Sequence, residues 1–124
     1  MGRRGDAATG RAAHRLGLRA EMLAALLLRF KGYRILATRL KTPAGEIDMV
    51  ARRGRALAII EVKARADATA AAEALQPRQL KRLERAAAHF LGRNPALAGL
   101  DLRFDVVLVT PRRLPRHMKD AWRP

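Results

Sequence analysis

The 124-residue chain contains no cysteine. A disulfide framework, a thiolate zinc site and a cysteine nucleophile are thereby excluded, and the absence fits a reducing compartment. Long apolar runs are missing too. The most apolar window, MLAALLL at 22–28, is too short to span a bilayer. It follows Glu21 and runs into Arg29 and Lys31 with no small-residue cleavage pattern behind it, so a secretory leader is not expected. These absences point to a soluble, cytoplasmic protein with no membrane span. Aromatic residues are scarce, with three Phe, one Tyr and one Trp, which argues against a base-stacking platform for single strands. Acids are also in short supply: 11 Asp and Glu stand against 26 Lys and Arg, a formal net charge of +15. Such an excess costs self-repulsion and is usually matched by a polyanion. Nucleic acid is the first candidate, because neutralising phosphates releases counterions. An acidic membrane surface or acidic protein comes second, and the bland alternative is a proteome that writes Arg where others write Lys.

What is present reads as one domain with one core. Residues 1–13, MGRRGDAATGRAA, are basic and poor in large apolar groups, and read as a flexible arm. The helical pattern from about Ala13 to Lys31 is closed by Gly32, which suits the residue just past a helix end. Arg15, Arg19 and Arg29 share one arc of it, and Glu21 is its single acid. YRILATRL at 33–40 reads as a strand, TPAG at 42–45 as a turn and EIDMVA at 46–51 as a second strand, with Ile47, Met49 and Ala51 on one face and Glu46, Asp48 and Val50 on the other. A third strand runs from about Leu57 to Ala64. An Ala-rich loop follows at 66–75, then a helix opening on Pro77 and reaching about Leu91, with an apolar stripe of Leu80, Leu83, Ala87 and Leu91. Arg78, Lys81, Arg82 and Arg85 make a basic face on this helix. LRFDVVLV at 102–109 is a last strand. Residues 111–124 form a basic, proline-containing tail expected to be extended or disordered in isolation. The domain at 14–110 is therefore α/β, with the order α-β-β-β-α-β and a mixed sheet flanked by helices.

The run IIEVKAR at 59–65 holds the chemistry. Strand side chains alternate, so Glu61, Lys63 and Arg65 share one face and Ile60, Val62 and Ala64 the other. If Gly54 and Arg55 are the centre of a two-residue turn, Asp48 stands opposite Glu61 and Glu46 opposite Lys63. Opposed residues have Cβ atoms about 4.5–5.5 Å apart. A three-residue loop would instead put the acids on opposite faces. Two carboxylates that close repel; one stays protonated or a cation sits between them. A divalent ion with oxygen ligands, Mg²⁺ or Mn²⁺, suits such a pair, using one or two carboxylates, several waters and a phosphate. It would polarise a phosphoryl oxygen. Lys63 would then orient the attacking water or stabilise charge on the phosphate.

Asp48, then Glu61-x-Lys63, with Glu21 on a preceding helix, resembles the PD-(D/E)xK nuclease superfamily. GEIDMVARRGRALAIIEVKAR at 45–65, with KGYRILA at 31–37, PRQLKRLERAAAHFL at 77–91 and RFDVVLV at 103–109, more closely resembles the uncharacterised bacterial YraN family, itself similar to archaeal Holliday junction resolvases. The resemblance runs from about Arg15 to Val109 and implies a restriction-endonuclease-like core. It implies that Asp48 and Glu61 are metal ligands and Lys63 the catalytic lysine. Glu21 is implied as a catalytic carboxylate reaching the metal through water or at a second ion, and Gln79 as a supporting polar residue. Ile47 stands where the superfamily label has Pro.

Other charged residues have plainer expectations. Glu46 is expected to pair with Lys63 or Arg65, and Asp105 with a nearby Arg. Arg65 and the basic face Arg78, Lys81, Arg82 and Arg85 are candidates for DNA-backbone contact. His14, His89 and His117 show no ligand spacing. Trp122 either folds back on the domain or stacks on a partner. The expected function is a metal-dependent endonuclease acting on structured or branched DNA, with a homodimer if both strands are cut in concert. The alternatives are a nucleic-acid-binding module with a vestigial nuclease site and a basic interaction protein bound to RNA.

Overall fold

The structure, a computed structural model, describes residues 17–66 and 77–122. The expected arm at 1–13, His14, Arg15 and nearly all of the Ala-rich loop lie outside the described residues. Helix α1 is described over 17–30. Its end is a Schellman motif: the Tyr33 amide donates to the Leu28 carbonyl at 2.9 Å and the Gly32 amide to Arg29 at 3.0 Å. Gly32 takes φ +90°, which is why glycine serves there.

Five strands follow in one sheet, β1 (Arg34–Thr42), β2 (Gly45–Arg53), β3 (Ala56–Ala64), β4 (Asp101–Val109) and β5 (Arg116–Trp122), in the order β1-β2-β3-β4-β5. Helix α2 (Pro77–Arg93) and a 3₁₀ turn (Pro95–Leu97) lie between β3 and β4. β3 and β4 are parallel and the other pairs antiparallel, so the sheet is mixed. The β2–β3 loop has two residues, with Arg53 paired to Ala56 and Gly54 at φ +59°, as a type II′ turn requires at its first centre. The α-β-β-β-α-β order expected from the sequence is present, with β5 added.

Each face of the sheet carries one helix and one core. Ala20, Ala24, Ala25 and Leu28 of α1 pack on Met49, Ala51, Ala58, Ile60 and Val107. Leu83, Ala86, Ala87 and Phe90 of α2 pack on Ile47, Val50, Leu57, Ile59 and Phe104. Each fully buried Leu or Ile side chain contributes about 1.5–3 kcal/mol. Ile47 corrects the simple alternation: it joins the α2 core, while Met49 joins the α1 core. The face changes around Asp48, opposite Arg39, whose φ of +49° twists β1 out of regular strand geometry.

The segment read as a tail supplies an edge strand. β5 pairs with β4 through Val107–His117 and Val106–Met118. Trp122 folds back on the domain, edge-on to Phe104 at 5.3 Å. Asp105, 1 % exposed, accepts two hydrogen bonds from the Arg103 guanidinium at 2.8 Å, confirming an Arg partner. His117, given no role from its sequence spacing, is its second partner at 2.7 Å, and the Asp120 amide is a third at 2.9 Å. With His117 Nε2–H donating to Asp105, Nδ1 accepts from the Lys31 ammonium at 2.6 Å. Burial alone would raise the Asp105 pKa, but bonds from His117, Arg103 and the Asp120 amide outweigh it and hold the carboxyl at about 2. β5 is thus fastened to the C-terminal end of α1 by a satisfied polar network.

Candidate active site

Along β3, Leu57 and Ile59 face the α2 core, and Glu61 and Lys63 continue that row beyond it. Apolar residues bury the strand, so these two charges are carried into a protected position. Their side chains are only 12 % and 13 % exposed, and Lys63 Nζ lies 3.1 Å from Glu61 Oε1. Glu46 is expected to pair with Lys63 or Arg65; Lys63 pairs with Glu61 instead, because the two side chains stand on one face two residues apart. Glu46 is exposed and makes no ion pair among the described residues.

The β2–β3 register is the one a two-residue turn dictates, and its last Cα pair is Met49–Ile60. One step beyond, where Asp48 would oppose Glu61, a side chain replaces the ladder. Asp48 Oδ2 accepts the Val62 amide at 2.8 Å. Burial first, then repulsion from Glu61 and from Glu21, pushes the Asp48 pKa up to about 6, against the lowering pull of the Val62 amide and Lys63. The three acids and Lys63 therefore share one electrostatic neighbourhood.

Glu21 reaches this neighbourhood from α1. It is held by Arg39, whose Nε donates to Glu21 Oε2 at 2.7 Å. Arg39, which adopts a left-handed backbone in mid-strand, had no signal in the sequence. No group of three or more His, Asp or Glu side chains among the described residues is arranged to hold a metal ion. Asp48 and Glu61 are the candidate carboxylates, and Glu21 acts on Asp48 more weakly than Glu61 does. The pair suits a hydrated Mg²⁺ or Mn²⁺, which binds through one or two carboxylates and keeps its waters.

On the same side of the sheet, Gln79 extends the buried stripe of α2 in its first turn. Its Oε1 is shielded from solvent and has no hydrogen-bond partner among the described residues. A buried acceptor without a donor is costly, so this oxygen is suited to a water or ligand. Arg78, Lys81, Arg82 and Arg85 are exposed, as the helix pattern predicts. Arg82 is also engaged in packing: a Cβ on Gly45 would meet its Cδ at 2.8 Å. Arg65 follows the site on β3, its amide bonded to the Val109 carbonyl at 3.0 Å.

No helix among the described residues is long and apolar enough to cross a membrane. A family profile described as "Uncharacterised protein family UPF0102" matches residues 20–109. The chain is similar to a UPF0102 protein of Parvibaculum lavamentivorans, 74% identical over 122 residues, covering 98% of this chain and 92% of the relative. It is 59% identical over 116 residues to UPF0102 protein amb4503 of Paramagnetospirillum magneticum, covering 90% of each. A Caulobacter vibrioides UPF0102 protein is 50% identical over 113 residues, covering 91% of this chain and 90% of the relative.

Proposed function

The chain belongs to the uncharacterised protein family UPF0102, and from the acid–lysine cluster it carries we propose that it is a metal-dependent endonuclease hydrolysing phosphodiesters of structured or branched DNA. One observation carries the reading: a half-buried Asp48 driven to a pKa of about 6 beside Glu61, with Lys63 at 3.1 Å from that second acid. A chain of net charge +15 has little need to bury acids together unless they hold a cation.

Asp48 and Glu61 would hold Mg²⁺ or Mn²⁺, with Glu21 acting through water. A cation there supplies Lewis acidity toward the phosphoryl oxygen. The protein's own part is positioning. Val62 fixes Asp48 through Oδ2 and leaves Oδ1 without a hydrogen bond among the described residues. Glu61 holds the Lys63 ammonium in place at 3.1 Å. Lys63 then donates to the scissile phosphate as negative charge builds on its oxygens. Gln79 Oε1 accepts a proton of a water or of the substrate. Arg65, Arg78, Lys81 and Arg85 neutralise flanking phosphates, which gives affinity without reading bases. No base-reading module is visible in the sequence, so DNA shape is the substrate determinant.

A second reading, binding without catalysis, draws on two details: Lys63 is already paired with Glu61, and the described residues form no ready three-ligand group. The deciding experiment offers linear, nicked, flapped and four-way DNA to the purified protein, with and without Mn²⁺, in parallel with Asp48→Asn. Metal-dependent cleavage of the branched forms that Asp48→Asn abolishes, with binding retained, supports the nuclease. Salt-sensitive binding with no turnover supports the second reading. Equal cleavage by wild type and Asp48→Asn would overturn the assignment.

A further inference from the structure

Past Lys63 the surface changes character. The end of β3, the loop after β4 and the outer side of α1 wall an open groove of about 740 Å³. Its floor is apolar, with Leu23, Val109 and Leu114 among the lining side chains, and four arginines rim it: Arg19, Arg65, Arg112 and Arg113. No carboxylate is among the described residues that line it. Leu114 is 89 % exposed. It is held out by a stiff loop, between Pro111 and Pro115, in which Arg112 adopts φ +62°. A side chain held in that conformation is a local strain of the kind concentrated at recognition sites.

The groove does not end at Leu23. On a helix of 3.6 residues per turn, Arg19, Leu23, Leu26 and Phe30 lie on one arc of α1. Leu26 is 56 % exposed and Phe30 91 %. An apolar ridge therefore leads out of an arginine-rimmed groove, and contiguous exposed apolar surface of this kind marks protein contact.

We propose that this groove docks an acidic amphipathic segment of a partner protein, whose large apolar side chains seat on Leu23 and Leu114 and whose carboxylates pair with the four arginines. Charge complementarity selects that occupant. A nucleic acid would satisfy the guanidinium groups but leave the apolar floor and ridge in contact with sugar and phosphate, and no aromatic ring is among the described residues that line the groove for a base to stack on. A second copy in an isologous contact would set one arginine rim against the other. An acidic peptide with apolar anchors uses both features, since guanidinium forks pair bidentately with carboxylates. The inference does not rest on the nuclease reading.

The probe is a fluorescein-labelled synthetic peptide with Leu and Phe at helical i, i+4 spacing among Asp and Glu. Its control keeps every charge and replaces the apolar residues with Ser. Fluorescence polarisation with the full-length protein at physiological salt is expected to give micromolar binding, about tenfold tighter than the control. Leu114→Ser, at an exposed position, and Arg112→Glu are each expected to weaken it about tenfold. Equal binding of peptide and control, or an unchanged affinity in Leu114→Ser, overturns the proposal. So does a wild-type dimer in light scattering that Leu114→Ser dissociates, which would make a second copy the occupant. Complete displacement by duplex DNA, with Leu114→Ser indifferent, would assign the groove to nucleic acid and overturn it as well.

Discussion

Asp48 stands in for a backbone carbonyl, accepting the Val62 amide at 2.8 Å where the β2–β3 ladder stops. The substitution keeps the two strands together through Oδ2, with Glu61 close enough to repel the Asp48 charge. The same residue thus closes the sheet and opens the site, and the two roles can be separated by experiment.

Asp48→Asn keeps an acceptor for Val62 and removes the charge. The Asp48 pKa is about 6 folded against 3.8 for an ordinary aspartate, so the folded state binds the proton more tightly. Stability contributed by this group is greatest below pH 4 and falls as pH rises to about 6, by about 3 kcal/mol in all. Asp48→Asn is therefore expected to stabilise the protein at pH 8 by about 1–3 kcal/mol and to change little at pH 4. Urea denaturation of both proteins at the two pH values checks this; equal differences at both would contradict it.

A cation that uses Asp48 and Glu61 must bind their ionised forms. Mn²⁺ at ten times its dissociation constant should stabilise the wild type by about 1.4 kcal/mol at pH 8. The gain should shrink as pH falls below 6, where Asp48 takes up its proton. Glu61→Gln should abolish it. Thermal melts with and without Mn²⁺ read the effect, and a gain that survives Glu61→Gln would place the ion elsewhere.

Gly45 has two reasons to be glycine. Its φ is +138°, and a Cβ would lie 2.8 Å from Arg82 Cδ. Gly45→Ala is expected to cost about 1–2 kcal/mol. Adding Arg82→Ala should recover the part due to crowding and leave the part due to backbone conformation. A double-mutant cycle from denaturant melts separates the two, and perfect additivity would show that Arg82 does not crowd the site.

The turn at Gly54 made the hairpin register legible, because a two-residue loop leaves one way to pair β2 with β3. Periodicity likewise set α2 and most of its buried stripe, with Leu80, Leu83 and Ala87 buried and Leu91 only partly so, since one apolar arc needs one core. Ile47 was misplaced because Arg39 interrupts β1 with a positive φ, and nothing local marks an arginine for that conformation. The expected pairing of Glu46 with Lys63 or Arg65 rests on cross-strand geometry that requires the ladder to continue past Asp48, where it stops. β5 was missed because Arg116–Trp122 has weak alternation of its own. Its strand is imposed by the edge of β4 and by Asp105, whose need for partners was visible in LRFDVVLV while the identity of His117 was not.

That network gives the last prediction. Asp105 is held at a pKa of about 2, below the ordinary 3.8, so it contributes stability that is fully present above pH 4 and is lost as pH falls through 2. Asp105→Asn should cost on the order of 2 kcal/mol at pH 5 and progressively less toward pH 2. Asp105→Ala should cost more, about 3–5 kcal/mol, because Arg103 and His117 are left without the acceptor that justifies their burial. Urea melts of the two variants against wild type at pH 5 and pH 2.5 test both statements. If β5 is fastened by this carboxylate, amide hydrogen exchange in Arg116–Trp122 should rise in Asp105→Asn before the β2–β3 core responds. Uniform loss of protection across the sheet would mean that the edge strand and the core unfold as one unit, with Asp105 serving the whole rather than the edge.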